Sequence, residues 1–107
     1  MQLAKDVYKY TDAMPAKEMY GLTSQIRRSV VSIPSNIAEG AARKGTKEFI
    51  QFLYIALGSV AELETQLILV VDLEMLPDNS TVNNDLQIVR RKLIHLIKSV
   101  GDGGLRP

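Results

Sequence analysis

Cysteine is absent from this sequence of 107 residues. Without cysteine the chain has neither disulfide bonds nor thiolate metal sites, which agrees with a reducing compartment. The single histidine, His95, has no second histidine to join it, so it cannot found a zinc site. We therefore expect no metal and no cofactor.

Long apolar runs are also lacking. No uninterrupted stretch approaches the ~18 residues that a membrane span requires, and no signal-peptide pattern opens the sequence. The net charge of +1 at pH 7 is too small to imply a nucleic-acid partner by itself. The sequence therefore predicts a cytoplasmic protein with no membrane partner.

The alternating pattern of β-strands is missing as well, because every apolar series has helical spacing. A chain of this length makes one domain with one core, which the 46% of hydrophobic residues can fill. Helical segments separated by proline and glycine turns predict a single all-α domain over residues 1–107, an antiparallel up-down four-helix bundle.

The spacing of apolar residues and the breaks between them give the expected helix bounds. The first three helices are predicted from the start to about Ala13, from Ala16 to Glu39 and from Thr46 to Glu74. The fourth follows the turn at Pro77, Asp78 and Asn79.

Residues with known capping preferences mark the helix ends. Pro15 suits a first turn, and Gly40 suits the left-handed conformation that commonly closes a helix. Pro34 is expected to kink or end the second helix. The other predicted caps are Thr46 for the third helix, Ser80 or Thr81 for the fourth, and Gly101, Gly103 and Gly104 at its end.

A polar stripe runs along the second helix beside its apolar line, and its members are Gln25, Ser29, Ser32, Asn36 and Glu39. Surface helices rarely carry so many small hydroxyl and amide residues where Lys and Glu would serve. We therefore expect the stripe to be partly buried and hydrogen-bonded to a neighbour. It is either a network that fixes helix register and oligomer geometry or part of a ligand site.

The third helix carries two adjacent apolar lines. The first is a heptad seam of Phe49, Leu53, Ala56, Val60, Leu63, Leu67 and Val70. The second runs one residue round the helix, from Ile50 through Leu57 to Met75. One bundle seam cannot hide both lines, so another helix of the chain or another subunit must cover the second. This predicts a homo-oligomer in which Leu57 lies at the interface.

The basic residues are unevenly placed. Candidate phosphate ligands are Arg27, Arg43, Lys44, Lys47, Arg90, Arg91 and Lys92, which an oligomer would repeat around its axis. Because the tyrosines at positions 8, 10, 20 and 54 fall on or near core lines, stacking of bases on aromatic rings is not expected.

Catalytic patterns are weak. The segment from Gly40 to Lys47 has the glycines of a phosphate-binding loop, but its Lys and Thr stand in the wrong order and a helix precedes it. Glu62 and Glu64 point to different helix faces and cannot form a carboxylate pair. No serine or threonine has a base beside it. We therefore expect that the protein is not an enzyme.

Several short sequence segments, taken together, resemble those of a known protein family. The segment from Gln25 to Ser29, the Asn-Ile-Ala-Glu-Gly block ending at Gly40, Gly58-Ser59 and Glu62-Leu63-Glu64 resemble the bacterial four-helix bundle family named after the 23S rRNA intervening-sequence protein. The resemblance covers about residues 8 to 76. Residues that the family shares at these blocks are Arg28, Asn36, Glu39, Gly40, Ser59 and Glu62. We expect Arg28, Ser59 and Glu62 to join the polar stripe in an oligomer interface or a buried polar network.

The resemblance implies a homopentamer of antiparallel bundles around a central opening. It also implies a link to nucleic acid, since the related accessory protein of diversity-generating retroelements is thought to bind it. One departure is the first helix, which is shorter than the family's and is expected to leave part of a groove open. Two functions follow as hypotheses, a nucleic-acid-binding or ribonucleoprotein accessory module, and a scaffold that binds another protein through the bundle surface or the central opening.

Overall fold

The computed structural model describes residues 1–103, and within them it contains helices and no strand. Four α-helices follow in order, with a short 3₁₀ turn at Ala16–Glu18. Their bounds are Gln2–Thr11 for α1, Leu22–Ala41 for α2, Thr46–Asp72 for α3 and Ser80–Gly101 for α4. The predicted all-α four-helix bundle is confirmed.

The helices pack in a ring in which α3 lies between α2 and α4, and α1 lies between α2 and α4 on the other side. Because α1 has only ten residues, it covers one end of the bundle. The Tyr10 hydroxyl anchors that end by donating to the carbonyl oxygen of Pro77, at 2.7 Å, in the α3–α4 connection.

The core is built on the predicted seam of α3. All seven seam side chains are buried, and most of them have no exposed surface. Ile26, Val30 and Ile33 of α2 meet this seam, and Leu3 and Val7 of α1 close the core at one end. The 4 and 3 spacing alone therefore located the core face of the longest helix.

The start of α2 differs from the prediction. Pro15 opens the 3₁₀ turn rather than the long helix, and α2 begins only after Gly21, whose φ of −112° and ψ of −112° are not helical. In the sequence Met19 continues the helical spacing of Leu22 and Ile26, but it lies in the turn before α2 and is 56% exposed. Pro34 lies inside α2 without ending it.

Gly40 does not close α2 in a left-handed conformation, because α2 continues through it to Ala41. Instead, the backbone of α2 approaches α3 so closely here that a Cβ atom on Gly40 would lie 2.6 Å from the Cβ of Phe52. It would also lie 3.1 Å from Cδ1 of Phe49. The residue is glycine because the crossing of two helices leaves no space for a side chain.

Glu74 supplies the left-handed residue that ends α3, with a φ of 58°. Its N–H donates to the Val71 carbonyl at 3.0 Å, and the N–H of Met75 donates to the Val70 carbonyl at 2.9 Å. This pair of bonds is the Schellman motif. At the other end of α3, the predicted cap Thr46 is already helical, and Gly45 occupies the cap position.

Asn79 caps α4, rather than Ser80 or Thr81, and its side-chain oxygen accepts from the N–H of Val82 at 3.0 Å. At the other end, Gly101 is still helical and Gly103 has a φ of 77°. The predicted terminator Gly104 lies outside the described residues.

A pair of carboxyl groups joins α1 to α4. Asp85 Oδ2 is buried without a hydrogen-bond donor, and the Asp6 carboxyl lies beside it. Two ionised carboxylates cannot donate to each other, so the two groups form a hydrogen bond only when one of them is protonated. The hydrogen bond with Asp6 raises the pKa of Asp85, and the same bond lowers the pKa of Asp6. Gln2, Lys5 and Lys9 on α1 lower the pKa of Asp6 further.

Asp85→Asn is expected to raise the midpoint of thermal unfolding near neutral pH, because the amide donates permanently to Asp6. In the wild type, the stabilisation from Asp85 is lost as pH rises through its raised pKa. The stabilisation from Asp6 is lost as pH falls through its lowered pKa. The gap between the two proteins should therefore close under mildly acidic conditions, where the wild type holds the shared proton. Melting curves across this range check it, and a gap no larger than that of Asp72→Asn would contradict it.

Candidate nucleic-acid interface

The polar stripe of α2 lies against α3. Ser29 Oγ donates to Glu62 Oε1 at 2.7 Å, and the hydroxyl oxygens of Ser32 and Ser59 lie 2.7 Å apart. The side-chain amide of Asn36 donates to both the carbonyl and the hydroxyl oxygen of Ser32, at 2.8 and 2.9 Å. The first two contacts link α2 to α3 side chain to side chain, and the two bonds of Asn36 lie within α2, an arrangement that suits a register-fixing network.

Other residues predicted for this network lie outside it. Gln25 and Arg28 are exposed on α2, and the side chain of neither makes a hydrogen bond with another residue among positions 1–103. Glu39 is exposed and pairs with Arg43. Leu57 is half-buried and packs against the core of its own chain, so its surface is only partly available to a neighbour.

Arg27 ties α2 to α1 and to the residue that follows α1. Its Nε donates to Thr11 Oγ1 at 3.0 Å, and its Nη2 donates to the Tyr8 carbonyl at 3.3 Å and to Asp12 Oδ1 at 2.9 Å. The guanidinium also lies over the Tyr8 ring, 4.6 Å from its centre. Two of the three guanidinium nitrogens, Nε and Nη2, are therefore occupied by partners within the chain.

Arg90 ties α4 to α3 in a similar way. Its two terminal nitrogens donate to the two carboxylate oxygens of Glu64, at 3.0 and 2.9 Å. The bond to the Arg90 guanidinium, with a second from Gln87, holds the pKa of Glu64 below its usual range. The Arg90 side chain, 24% exposed, is therefore a helix-to-helix tie.

Arg43 is also committed within the chain. Its Nη2 donates to Glu39 Oε1 at 2.8 Å, one helical turn earlier, and its guanidinium lies 5.1 Å from the centre of the Phe52 ring. Of the candidate phosphate ligands, the three arginines at positions 27, 43 and 90 are thus occupied.

The remaining candidates, Lys44, Lys47, Arg91 and Lys92, are exposed and form no ion pair with any described residue. Lys98 is also exposed, and it lies about two helical turns after Arg91 on the same face of α4. The helical spacing of Arg91, His95 and Lys98 in the sequence is the signal that places Lys98 on this face. We call Lys44, Lys47, Arg91, Lys92 and Lys98 the loop-end basic cluster.

Charge is segregated along the bundle. The α2–α3 loop lies at the same end as the last turn of α4, because a Cβ on Gly101 would contact Ile50 near the start of α3, at 3.9 Å. The basic cluster therefore occupies this end and the adjoining half of α4. The opposite end, with α1 and the α3–α4 connection, carries most of the carboxylates, namely Asp6, Asp12, Glu18, Asp72, Glu74, Asp78 and Asp85.

The tyrosines do not lie where the sequence placed them. Tyr20 is 95% exposed, Tyr54 is 58% exposed and Tyr8 is 40% exposed, whereas Tyr10 is partly buried against the core. Tyr20 was misplaced because α2 was expected to begin at Ala16, and the turn before Leu22 instead directs it into solvent. The tyrosines at positions 8, 20 and 54 therefore lie outside the core, which removes the reason for excluding base stacking.

The outer face of α3 carries exposed apolar side chains beside exposed polar ones such as Glu62 and Thr65. Tyr54, Ile55, Leu69 and Leu73 are each at least 42% exposed. Gly58 lies between them in the middle of the helix, and a Cβ added to it would meet nothing within 4 Å. Since helical glycine costs about 1 kcal/mol relative to alanine, the packing within the chain does not explain Gly58.

The apolar character of α3 extends beyond its buried seam. Among the described residues, α3 is the one helix long and apolar enough to cross a membrane by length and composition. Core helices of soluble proteins pass the same test. The seam of α3 is the core of this bundle, and Glu62 and Glu64 interrupt its apolar sequence.

No group of three or more His, Cys, Asp or Glu side chains that could hold a metal ion occurs within residues 1–103. His95 is exposed on α4 beside Arg91 and Lys92.

Comparisons with known proteins identify the family to which the sequence and the fold are similar. The profile of the 23S rRNA-intervening sequence protein family matches residues 1–95. No curated protein sequence matches the chain. Among solved structures, the chain is similar to a protein of unknown function from the S23 ribosomal protein family of Bacteroides thetaiotaomicron, at 29% sequence identity and a TM-score of 0.80. The alignment covers 91% of this chain and 89% of that one, and the family resemblance found in the sequence is confirmed.

Proposed function

Because the chain belongs to the 23S rRNA-intervening sequence protein family, we propose that it is a non-catalytic module that binds RNA or DNA as a homo-oligomer. The observation that carries the proposal is the loop-end basic cluster, whose side chains are exposed and form no ion pair with described residues. The family name refers to ribosomal RNA, so we place the protein in the cytoplasm.

The cluster favours contacts with phosphates rather than with base edges. Its lysines are flexible point charges, and each phosphate that they neutralise releases counterions from the nucleic acid. Binding of this kind has little sequence preference. The arginines at positions 27, 43 and 90 are left out of the proposed ligands because side chains of the same chain occupy them.

Charge reversal tests the proposal. Lys44→Glu/Lys47→Glu should lower the affinity for a mixed RNA and DNA pool at low salt by at least about tenfold, since two phosphate contacts become repulsive. Lys5→Glu/Lys17→Glu makes the same change of charge at the acidic end and should have a much smaller effect. Fluorescence anisotropy measures both. Equal losses in the two variants, or no binding by the wild type, would refute the proposal.

Association through the outer face of α3 is the second part of the proposal. Exposed apolar side chains on one long helix, with Gly58 open for close approach, suit contact with a second copy of the chain. The number of five subunits rests on the family resemblance alone. An oligomer repeats the basic cluster, so several weak phosphate contacts act together.

The double variant Ile55→Asp/Leu69→Asp is expected to dissociate the oligomer, because it places carboxylates in the apolar contact. These side chains are about half exposed, at 51% and 42%, so the fold of the single chain should tolerate the change. Ile88→Asp on α4, where the side chain is 41% exposed, is the matched control. Light scattering at micromolar concentration measures the mass of the wild type and of both variants. A monomer mass for the wild type would refute the proposed oligomer.

A scaffold that binds another protein is the second candidate function. The same apolar face of α3 favours it, since a partner protein could cover that face in place of a second copy. The scaffold function replaces the nucleic-acid-binding function if the wild type binds no nucleic acid at low salt while a monomeric chain retains its fold.

A further inference from the structure

A groove of about 580 Å³ runs along the first half of α2, outside the loop-end basic cluster. Two tyrosines, two arginines and several hydroxyl side chains line it, and none of its lining residues is acidic. Its size falls within the range of small-ligand sites, and its chemistry is that of a surface for an anion with a flat ring. We call it the tyrosine groove.

Two of its side chains are available to a ligand. Tyr20 is 95% exposed, and Arg28 is exposed with no hydrogen bond or ion pair in the described part of the chain. Their neighbours are fixed instead, since Arg27 is held by Asp12 and lies 4.6 Å above the ring of Tyr8. The groove thus has one rigid wall and two side chains that can adapt.

A buried polar atom lies beside the same groove. Thr23 is 5% exposed, and its Oγ1 has no hydrogen-bond partner. Buried hydroxyl groups are nearly always paired, so an unpaired one indicates a missing partner. Thr23 also lines a smaller cavity beside Thr11 and Met14, and its buried Oγ1 is not open to the groove surface, so the argument for a ligand rests on the exposed Tyr20 and Arg28.

We propose that the tyrosine groove binds an unpaired base and its phosphate, so that the protein prefers single-stranded to duplex nucleic acid. The base stacks on Tyr20, Arg28 contacts the phosphate and the hydroxyl groups bond the sugar. A base inside a duplex is already stacked and cannot occupy the groove. The inference rests on the proposed function for its class of ligand, and it adds a second contact site and a choice of strand.

Binding of one oligonucleotide in single-stranded and duplex form measures this preference. The strand should be about 12 nucleotides long, within the range of known single-strand sites. Tyr20→Ala should lower single-strand affinity by about tenfold and leave duplex affinity unchanged, because it removes only the stacking platform. Tyr20→Phe keeps the ring and should bind like the wild type. Arg28→Ala should weaken the single strand more than the duplex.

Photocrosslinking gives a direct readout. A single strand that carries 5-iodouridine should attach to Tyr20, with the site identified by mass spectrometry. Attachment only to residues near Lys44 or Arg91 would overturn the inference, whatever the affinities.

The outcomes separate the two proposals. If the wild type binds single strands and duplexes equally, or if Tyr20→Ala retains the preference, the inference is wrong and the proposed function stands. If no nucleic acid binds, both are wrong. If Tyr20→Ala instead lowers the mass of the oligomer without changing strand preference, a second copy of the chain occupies the groove, and the inference is overturned.

Discussion

Replacing Gly40 by alanine should lower the free energy of unfolding by about 2 kcal/mol. The added Cβ would lie 2.6 Å from the Cβ of Phe52, so the backbones of α2 and α3 must separate. Overpacking of this kind costs about 1 to 3 kcal/mol, and a contact with a neighbour's Cβ lies at the upper end because it cannot rotate away. The gain in helix propensity, about 1 kcal/mol, offsets only part of this cost.

Gly101→Ala is the matched control, since this glycine is also helical but a Cβ there would meet only Ile50 Cδ1, at 3.9 Å. That variant should be as stable as the wild type or slightly more stable. Denaturant unfolding followed by circular dichroism measures both changes. A Gly40→Ala protein as stable as Gly101→Ala would show that the helices do not cross where the structure places them.

Arg27→Ala should lower the free energy of unfolding by about 2 kcal/mol, because it removes a charge-assisted hydrogen-bond network that joins α1 to α2. The loss includes the stacking on Tyr8, and it leaves the Thr11 hydroxyl with only its bonds to α1. Hydrogen exchange should localise the effect, with faster exchange of the α1 amides and little change in α3.

Arg28→Ala tests the same residue type one position later. Arg28 is exposed and unpaired within residues 1–103, so its removal should change stability by no more than about 0.5 kcal/mol. Equal destabilisation by the two variants would contradict the assignment of Arg27 as the tie between the helices.

The sequence predicted the core well because the spacing of apolar residues is a local property. The seam of α3 is buried along its whole predicted length. The helix ends were harder, since contacts from elsewhere decide them. Gly40 looked like a terminator, yet it is a point of contact with Phe52. The short 3₁₀ turn after Pro15 moved the start of α2 to Leu22, and with it the positions of Met19 and Tyr20.

The candidate site was only partly predictable for a related reason. Arg27 and Arg90 are basic in the sequence, but Asp12 and Glu64, 15 and 26 positions away, occupy them in the fold. Lys44 and Arg91 have no such partner among the described residues. Which charges are neutralised depends on the packing of helices, and a list of charged residues does not contain that information.

The salt dependence of binding tests the central claim most directly. For a single-stranded oligonucleotide, the logarithm of the affinity should fall steeply and linearly with the logarithm of salt concentration. In Lys44→Glu/Lys47→Glu the slope should be shallower by roughly one to two units, because each lost phosphate contact removes about 0.7. Lys5→Glu/Lys17→Glu should keep the wild-type slope. A flat wild-type slope, or one that Lys44→Glu/Lys47→Glu leaves unchanged, would contradict binding through the loop-end basic cluster.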